Sequence, residues 1–200
     1  MSLSNEEKKN RIIQTAGLVF SQKGFHQARV DEIAEMAGVA KGTIYYNYQS
    51  KAKLFAATVT HGLNQITAAI EDELDSTDPF PGHFKRILAK TVNLYVTHGD
   101  VMRIYANEMS SGIDGEILAE IQAEREKFNQ FIEAQIRAGQ AGGYLKPMPA
   151  RFCALAALGV IDSLCVHYLA HPEENALDEV VETVFGMLST GLFHPRHSSE

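Results

Sequence analysis

Between Lys41 and Asn47 the chain lines up a cation, a glycine, a hydroxyl, two phenols and an amide, with Ile44 as the clear apolar anchor. Such side chains donate and accept hydrogen bonds at set positions, which is the chemistry of reading base edges and holding phosphates. Thr43 and Tyr46 lie three apart on one helical face, so they are the candidates for base contacts. Lys41 can reach a phosphate or a guanine edge. Gly42 lets the backbone approach a partner, at a helix-propensity cost of ~1 kcal/mol. Tyr45 and Asn47 are assigned to phosphates. Lys51 and Lys53 fall in the first turn of the following helix, where the macrodipole disfavours cations by a few tenths to about 1 kcal/mol. That misplacement predicts a compensating group outside the chain, a DNA phosphate paired with Lys51.

Other reactive side chains assemble no catalytic centre. The sequence has no nucleophile–base arrangement, no phosphate loop and no paired Glu-x-x-His sites of the kind a di-iron bundle needs. An enzyme is therefore not the reading, and no cofactor is assigned. His167 and His171 have the spacing of two metal ligands on a helix, but no carboxylate or cysteine cluster joins them in sequence, so no metal site is assigned either. Cys153 and Cys165 lie in one apolar stretch; on a single helix their backbones stand roughly 18 Å apart, which excludes a bridge. They read as buried thiols.

Residues 28–51 must position the polar group, and they read as two short helices joined by a glycine turn. Val30, Ile33, Ala34 and Ala37 share a face, Gly38 can take positive φ at the turn, and Val39 and Ile44 close a small core. A helix in front of this pair begins at Ser4, where Ser4 and Glu7 make a capping box, and runs to about Gln22 with Gly24 as its stop. Ser50 caps a long fourth helix. The turn-rich residues 75–82 break the chain, and further helices follow near 81–98, 100–110, 114–139, 149–170 and 176–192. No sustained period-2 run occurs, so the fold class is all-α, with about nine helices.

Charge supports the same division. The net charge of −7 argues against a nucleic-acid partner for the chain as a whole. Residues 1–53, however, hold eight Lys or Arg against five Asp or Glu, a balance of +3, and the remainder carries −10. Only the first quarter has the sign that DNA requires, which also disfavours a protein-binding module without DNA activity. No secretory signal precedes the first helix, so the expected compartment is the cytoplasm.

Residues 152–170 approach the length and apolarity of a membrane span, but Asp162 sits at the centre and the flanks lack an aromatic and basic belt. No membrane partner is expected. A helix apolar on most faces can be buried between its own domain and a second subunit. In the next helix Leu177, Val180, Val181, Val184, Phe185, Leu188 and Leu192 recur at three and four. Pairing of the two helices with their symmetry mates gives a homodimer, with Val181, Val184, Phe185 and Leu188 at its interface.

Residues 24–55 resemble the DNA-binding module of the tetracycline-repressor (TetR) family of bacterial regulators. Gly24-Phe25, Ile33-Ala34, Ala37-Gly38-Val39, Lys41-Gly42-Thr43-Ile44-Tyr45 and Ser50-Lys51 stand in that family's order and spacing. The resemblance implies a helix-turn-helix domain at 1–52 with its motif at about 29–48, a helical ligand-binding and dimerisation domain at 53–193, and a tail at 194–200. Where the family carries a capping Thr or Ser that touches a phosphate, this chain has Arg29, which can keep the phosphate contact but caps poorly. Ala40 replaces a common Ser or Thr cap, and Asn47-Tyr48 replaces a common His-Phe pair. A ligand pocket is likewise implied by the resemblance. Its candidates are inward residues of the middle helices: Phe84, Leu88, Val92, Tyr95, Met102, Tyr105, Met109, Ile121, Phe128, Phe131 and Ile132. Their character suits an acyl-chain-like or aromatic inducer. The expected protein is a ligand-responsive regulator, a repressor released from a palindromic double-stranded operator by a small apolar molecule.

Overall fold

The computed structural model describes residues 4–74, 80, 82–97, 115–174 and 176–194. Eight helices lie among them: α1 (Asn5–Gln27), α2 (Val30–Ala37), α3 (Lys41–Tyr48), α4 (Lys51–Leu74), α5 (Gly82–Thr97), α6 (Gly115–Ala141), α7 (Ala150–Ala170) and α8 (Leu177–Leu192). The short helix expected near 100–110 lies outside the described residues. The chain divides into two units, residues 1–64 with 98–125 and residues 65–97 with 126–200. The expected break at residue 52 falls inside the first unit, because Leu54, Phe55, Ala56 and Val59 of α4 are buried. The Phe55 ring meets Phe20 of α1 edge-on at 5.1 Å.

The first unit is built as its sequence dictates. Glu7 N–H donates to Ser4 Oγ, and Ser4 N–H donates to the Glu7 carboxylate, closing the capping box. Helical geometry is interrupted at Gly24 (φ 72°, ψ 169°), and one further turn carries the helix to Gln27 instead of ending it at Gln22. Only glycine takes that dihedral pair without strain. Gly38 (φ 65°) is the left-handed stop of α2, and its N–H returns to the Ala34 and Glu35 carbonyls. Ser50 Oγ accepts the Lys53 N–H, the expected cap of α4.

Between α3 and α4 the chain turns through Gln49 at φ 64°, ψ −38°, with Ser50 N–H donating to Tyr48 O at 2.7 Å. This is a γ-turn of the rare, strained hand, held by a residue that has a Cβ. Strain of this type costs of order 1–3 kcal/mol, against roughly 0.5–1 kcal/mol for the extra chain entropy of glycine. Gln49→Gly is expected to raise the melting temperature by about 2–4 °C per kcal/mol gained. A thermal melt that moves downward would show the turn to be unstrained.

In the second unit α5 packs on α7 and α8, and α7 on α8. Its centre includes Ile136, Leu145, Cys153, Ala154 and Phe193, the last fully buried. Phe193 gathers the rings of Phe80, Phe84 and Phe185 at 4.4, 5.1 and 5.9 Å. His194 N–H donates to Tyr144 O, and Lys146 N–H to Leu192 O, so ordered pairing reaches into the first residue of the expected tail. Both cysteines are buried free thiols. Burial and the Asp162 carboxylate push the Cys165 thiol up to about 12, which leaves it protonated and unreactive at neutral pH.

Candidate nucleic-acid interface

α3 sits on one side chain. Ile44, 1% exposed, is its buried residue, and Val30, Ile33, Ala34 and Ala37 of α2 are buried as well. Much of the rest of α3 faces outward: Tyr46 is 86% exposed, Lys41, Tyr45 and Gly42 are exposed, and Thr43 is half-buried. Arg29 and Ala40 hold the cap positions of α2 and α3 in extended backbone without a side-chain cap. First-turn N–H groups left uncapped in this way suit an anion. Asn47 turns its amide nitrogen back onto the Thr43 carbonyl at 2.7 Å, so a phosphate contact from Asn47 requires a new rotamer. Tyr48 is half-buried, and burial pushes its phenol up from the ordinary value.

Two lysines depart from the sequence-based argument. Lys51 does not lack an internal partner: its ammonium donates to the His26 and Ala28 carbonyls, each at 3.1 Å, and lies 4.7 Å from the Phe25 ring centroid. Those carbonyls, at and just past the end of α1, supply the negative dipole that the start of α4 denies it. Lys53 pairs with Glu120 at 2.6 Å. No external phosphate is needed to compensate these charges, contrary to the expectation from sequence; the chain compensates them itself. Lys41 is likewise paired, with Asp31 at 2.8 Å, and Arg29 stands 3.9 Å from the same carboxylate. Sequence reading did not single out Asp31, although an acid in the first turn of α2 was visible there.

A cavity of about 520 Å³ opens in the second unit. Phe84, Leu88 and Ile132 of the expected pocket set line it. Val92, Tyr95, Ile121 and Phe128 are buried elsewhere, Phe131 is half-buried and does not line this cavity, and Met102, Tyr105 and Met109 lie outside the described residues. The wall also includes Ile70 and Leu74 from the end of α4, Ala157, Leu158 and Ile161 from α7, and Leu188 and Leu192 from α8. None of the described lining residues is Lys, Arg, Asp or Glu. Its polar groups are His83, Thr91, Gln135 and Tyr144, with a His83 ring nitrogen against the Glu73 carbonyl and the Thr91 hydroxyl donating to Ile87 O. Asp162 accepts a hydrogen bond from the Tyr95 hydroxyl and does not line this wall.

The stripe expected to pair with a second protomer is occupied by its own chain. Val181, Val184 and Leu188 are 7%, 0% and 7% exposed, and Phe185 is half-buried beside Phe84 and Phe193. α8 packs on α5 and α7, and a helix in a bundle spends its most apolar stripe on its nearest neighbours. Of the large apolar side chains of α7 and α8, Phe152, Leu155 and Met187 stay outside, at 70%, 40% and 56% exposure. His167 and His171, at the end of α7, lie with ring centroids 5.0 Å apart and both face Glu174.

An all-helical chain that seats a polar, outward-facing α3 behind a glycine turn is a helix-turn-helix protein. The sequence pattern described as "Bacterial regulatory proteins, tetR family" matches residues 12–58, and that described as "Tetracyclin repressor-like, C-terminal domain" matches residues 82–188. The chain belongs to the tetracycline-repressor family and is a helix-turn-helix transcriptional regulator. It is similar to the uncharacterised regulator YhgD of Bacillus subtilis, 26% identical over 91% of this chain and 93% of that one. It is 29% identical to the transcriptional repressor NicS of Pseudomonas putida, over 82% and 76% of the two chains. The fatty acid degradation regulator FadR of Bacillus halodurans shares the fold at a TM-score of 0.78 and 19% identity, covering 90% of this chain and 96% of that one. FadR of Bacillus subtilis, solved in complex with stearoyl-CoA, does so at 0.76 and 20%, with the same coverage.

Proposed function

We propose that this regulator is a cytoplasmic homodimeric repressor that holds a palindromic operator through α3 and is released by a small apolar molecule taken into the second unit. The observation that carries the reading is α3 itself, an uncapped helix with one buried anchor and an outward face of Gly42, Thr43, Tyr45 and Tyr46. Thr43 and Tyr46 read base edges; Arg29, Lys41, Tyr45 and Asn47 contact phosphates. Lys51 contributes mainly by pinning the start of α4 to the end of α1.

The apolar cavity supports the ligand half of the proposal, and the stearoyl-CoA complex of a protein of the same fold supports an acyl-chain-like occupant. For the dimer, the supporting feature is α7, which is apolar along its length yet leaves Phe152 and Leu155 exposed. A second copy covering Phe152, Leu155 and Met187 removes that apolar surface from water. The core packing of Cys153, Ala154, Leu158 and Ile161 favours this over a membrane span.

Selection from a pool of random duplexes tests the proposal. The expected product is a palindrome whose half-sites lie about 34 Å apart, one turn of DNA, as two symmetry-related α3 helices require. Gly42→Ala is the accompanying variant. Among the described residues, a Cβ there meets no atom beyond its own helical turn within 4 Å, so alanine should stabilise α3 by ~1 kcal/mol while weakening operator binding. Unaltered or tighter binding would place DNA away from this face.

A further inference from the structure

Cations of the first unit are held by carboxylates of the same unit, among them Lys41 and Arg29, two of those expected to meet phosphates. Lys41 Nζ lies 2.8 Å from Asp31 Oδ1, Arg29 Nη2 3.9 Å from Asp31 Oδ2, Lys23 Nζ 2.7 Å from Glu32, and Lys53 Nζ 2.6 Å from Glu120. Asp31 differs from the other two acids in position. It stands between Arg29 and Lys41, beside the starts of α2 and α3, where the phosphate contacts are proposed. Its side chain is 53% exposed and that of Lys41 50%, and a pair so open to water adds little to stability. The pair's consequence lies in charge: it neutralises an ammonium that would otherwise attract any duplex.

We infer that Asp31 limits the sequence-independent part of DNA binding: it withholds Lys41 from backbone phosphates, so that non-operator duplex is bound weakly and the neutral groups of α3 decide where the protein stays. The reasoning rests on the proposal that α3 reads the operator. Phosphate contacts carry no sequence information and favour all duplexes alike, whereas Thr43 and Tyr46 gain only on the right bases. On random DNA, Lys41 must give up Asp31 for a phosphate, a near-even exchange, and the carboxylate then faces phosphates of its own sign. At the operator the same cost is met, but contacts from α3 offset it. The carboxyl of Asp31 is held below the usual range by the Lys41 hydrogen bond, and Lys41 is held above its own, so the pair is fully ionised near neutral pH.

The test uses the full chain and its Asp31→Asn variant, which keeps the shape and removes the charge. Two duplexes serve as probes: the sequence selected by the wild-type protein and a scrambled version of equal length. Each phosphate newly neutralised steepens the slope of log K against log salt by about 0.9, which is nearly tenfold in affinity between 1 M and 0.1 M salt. Asp31→Asn is therefore expected to bind scrambled duplex about tenfold tighter at 0.1 M salt, with a slope steeper by about one, and to bind the selected duplex tighter by a similar factor. In a Lys41→Ala background the slope change should largely vanish, because Asp31 acts through Lys41.

An unchanged slope and affinity for scrambled duplex would overturn the inference and leave Asp31 as a helix-end acid. Weaker binding to both duplexes would overturn it too, making Asp31 a residue that orients Lys41 for contact. Failure of the underlying reading has another signature: Thr43→Ala and Tyr46→Ala would then leave the selected sequence unaltered, whatever Asp31→Asn does.

Discussion

Replacing Ile44 with alanine is expected to weaken operator binding by more than about a hundredfold and to lower the melting temperature, with the loss traceable to a single unseated helix. α3 has eight residues, no side-chain cap and a glycine at its second position. Helices of that length do not persist in water on propensity alone. Ile44 is its buried residue, so burial of this side chain is what fixes α3 against the rest of the motif. Truncating a buried isoleucine to alanine costs about 2–5 kcal/mol, more than so short a helix can replace. Ile44→Val supplies the graded control, since it costs about 0.5–1.5 kcal/mol and keeps the β-branched shape. Gel-shift titration and thermal melts of the two variants should rank in that order. An Ile44→Ala protein that bound operator within threefold of wild type would mean that polar contacts, not Ile44, hold α3.

The motif was legible because it rests on local rules. A capping box, a glycine with positive φ and an apolar stripe at helical spacing each act within a few residues, and each recurs in the structure at Ser4–Glu7, Gly38 and Val30–Ala37. Lys51 marks the limit of local reasoning. The macrodipole argument rightly required a compensating group, but the carbonyls that provide it belong to residues 25 and 23 positions earlier. No pattern along the chain announces that approach. α8 teaches a related lesson: periodicity identifies the residues that share a face, but not the body that face meets. Val184 could belong to a dimer or to its own core on spacing alone, and its complete burial assigns it to the core.

Cavities are the least legible feature, because they consist of places where side chains do not meet. The expected pocket set captured Phe84, Leu88 and Ile132, which lie on α5 and α6, yet Val92 and Tyr95 share the α5 pattern and pack solidly instead. The α4, α7 and α8 contributions were not foreseen, since Ile70, Leu158 and Leu188 look like ordinary core residues in sequence. Phe193 was overlooked for a different reason: it follows the last residue of α8 and escapes any helical periodicity, though three rings gather on it.

Ala157→Phe is expected to close the cavity to long apolar molecules and so to fix the protein on its operator. Ala157 is 8% exposed and lines the cavity from α7, so an added ring has empty space to enter. Overpacking ordinarily costs about 1–3 kcal/mol, but here the ring fills a void instead of displacing neighbours, and stability should change little. A series of n-alkanols measures the effect. With no charged group among the described lining residues, alkanols should bind better than alkanoates of equal length, whose carboxylate has no counter-ion there. In the wild type each added methylene is worth ~0.8 kcal/mol, about fourfold in affinity, until the chain fills the space. Ala157→Phe should reach that plateau at a shorter chain, and longer alkanols should no longer release operator in a gel shift. Leu158→Ala should move the plateau the other way, at a stability cost of about 2–5 kcal/mol. If both variants kept the wild-type plateau, alkyl chains would be entering elsewhere. The length at which affinity stops rising thus reports the size of the cavity directly.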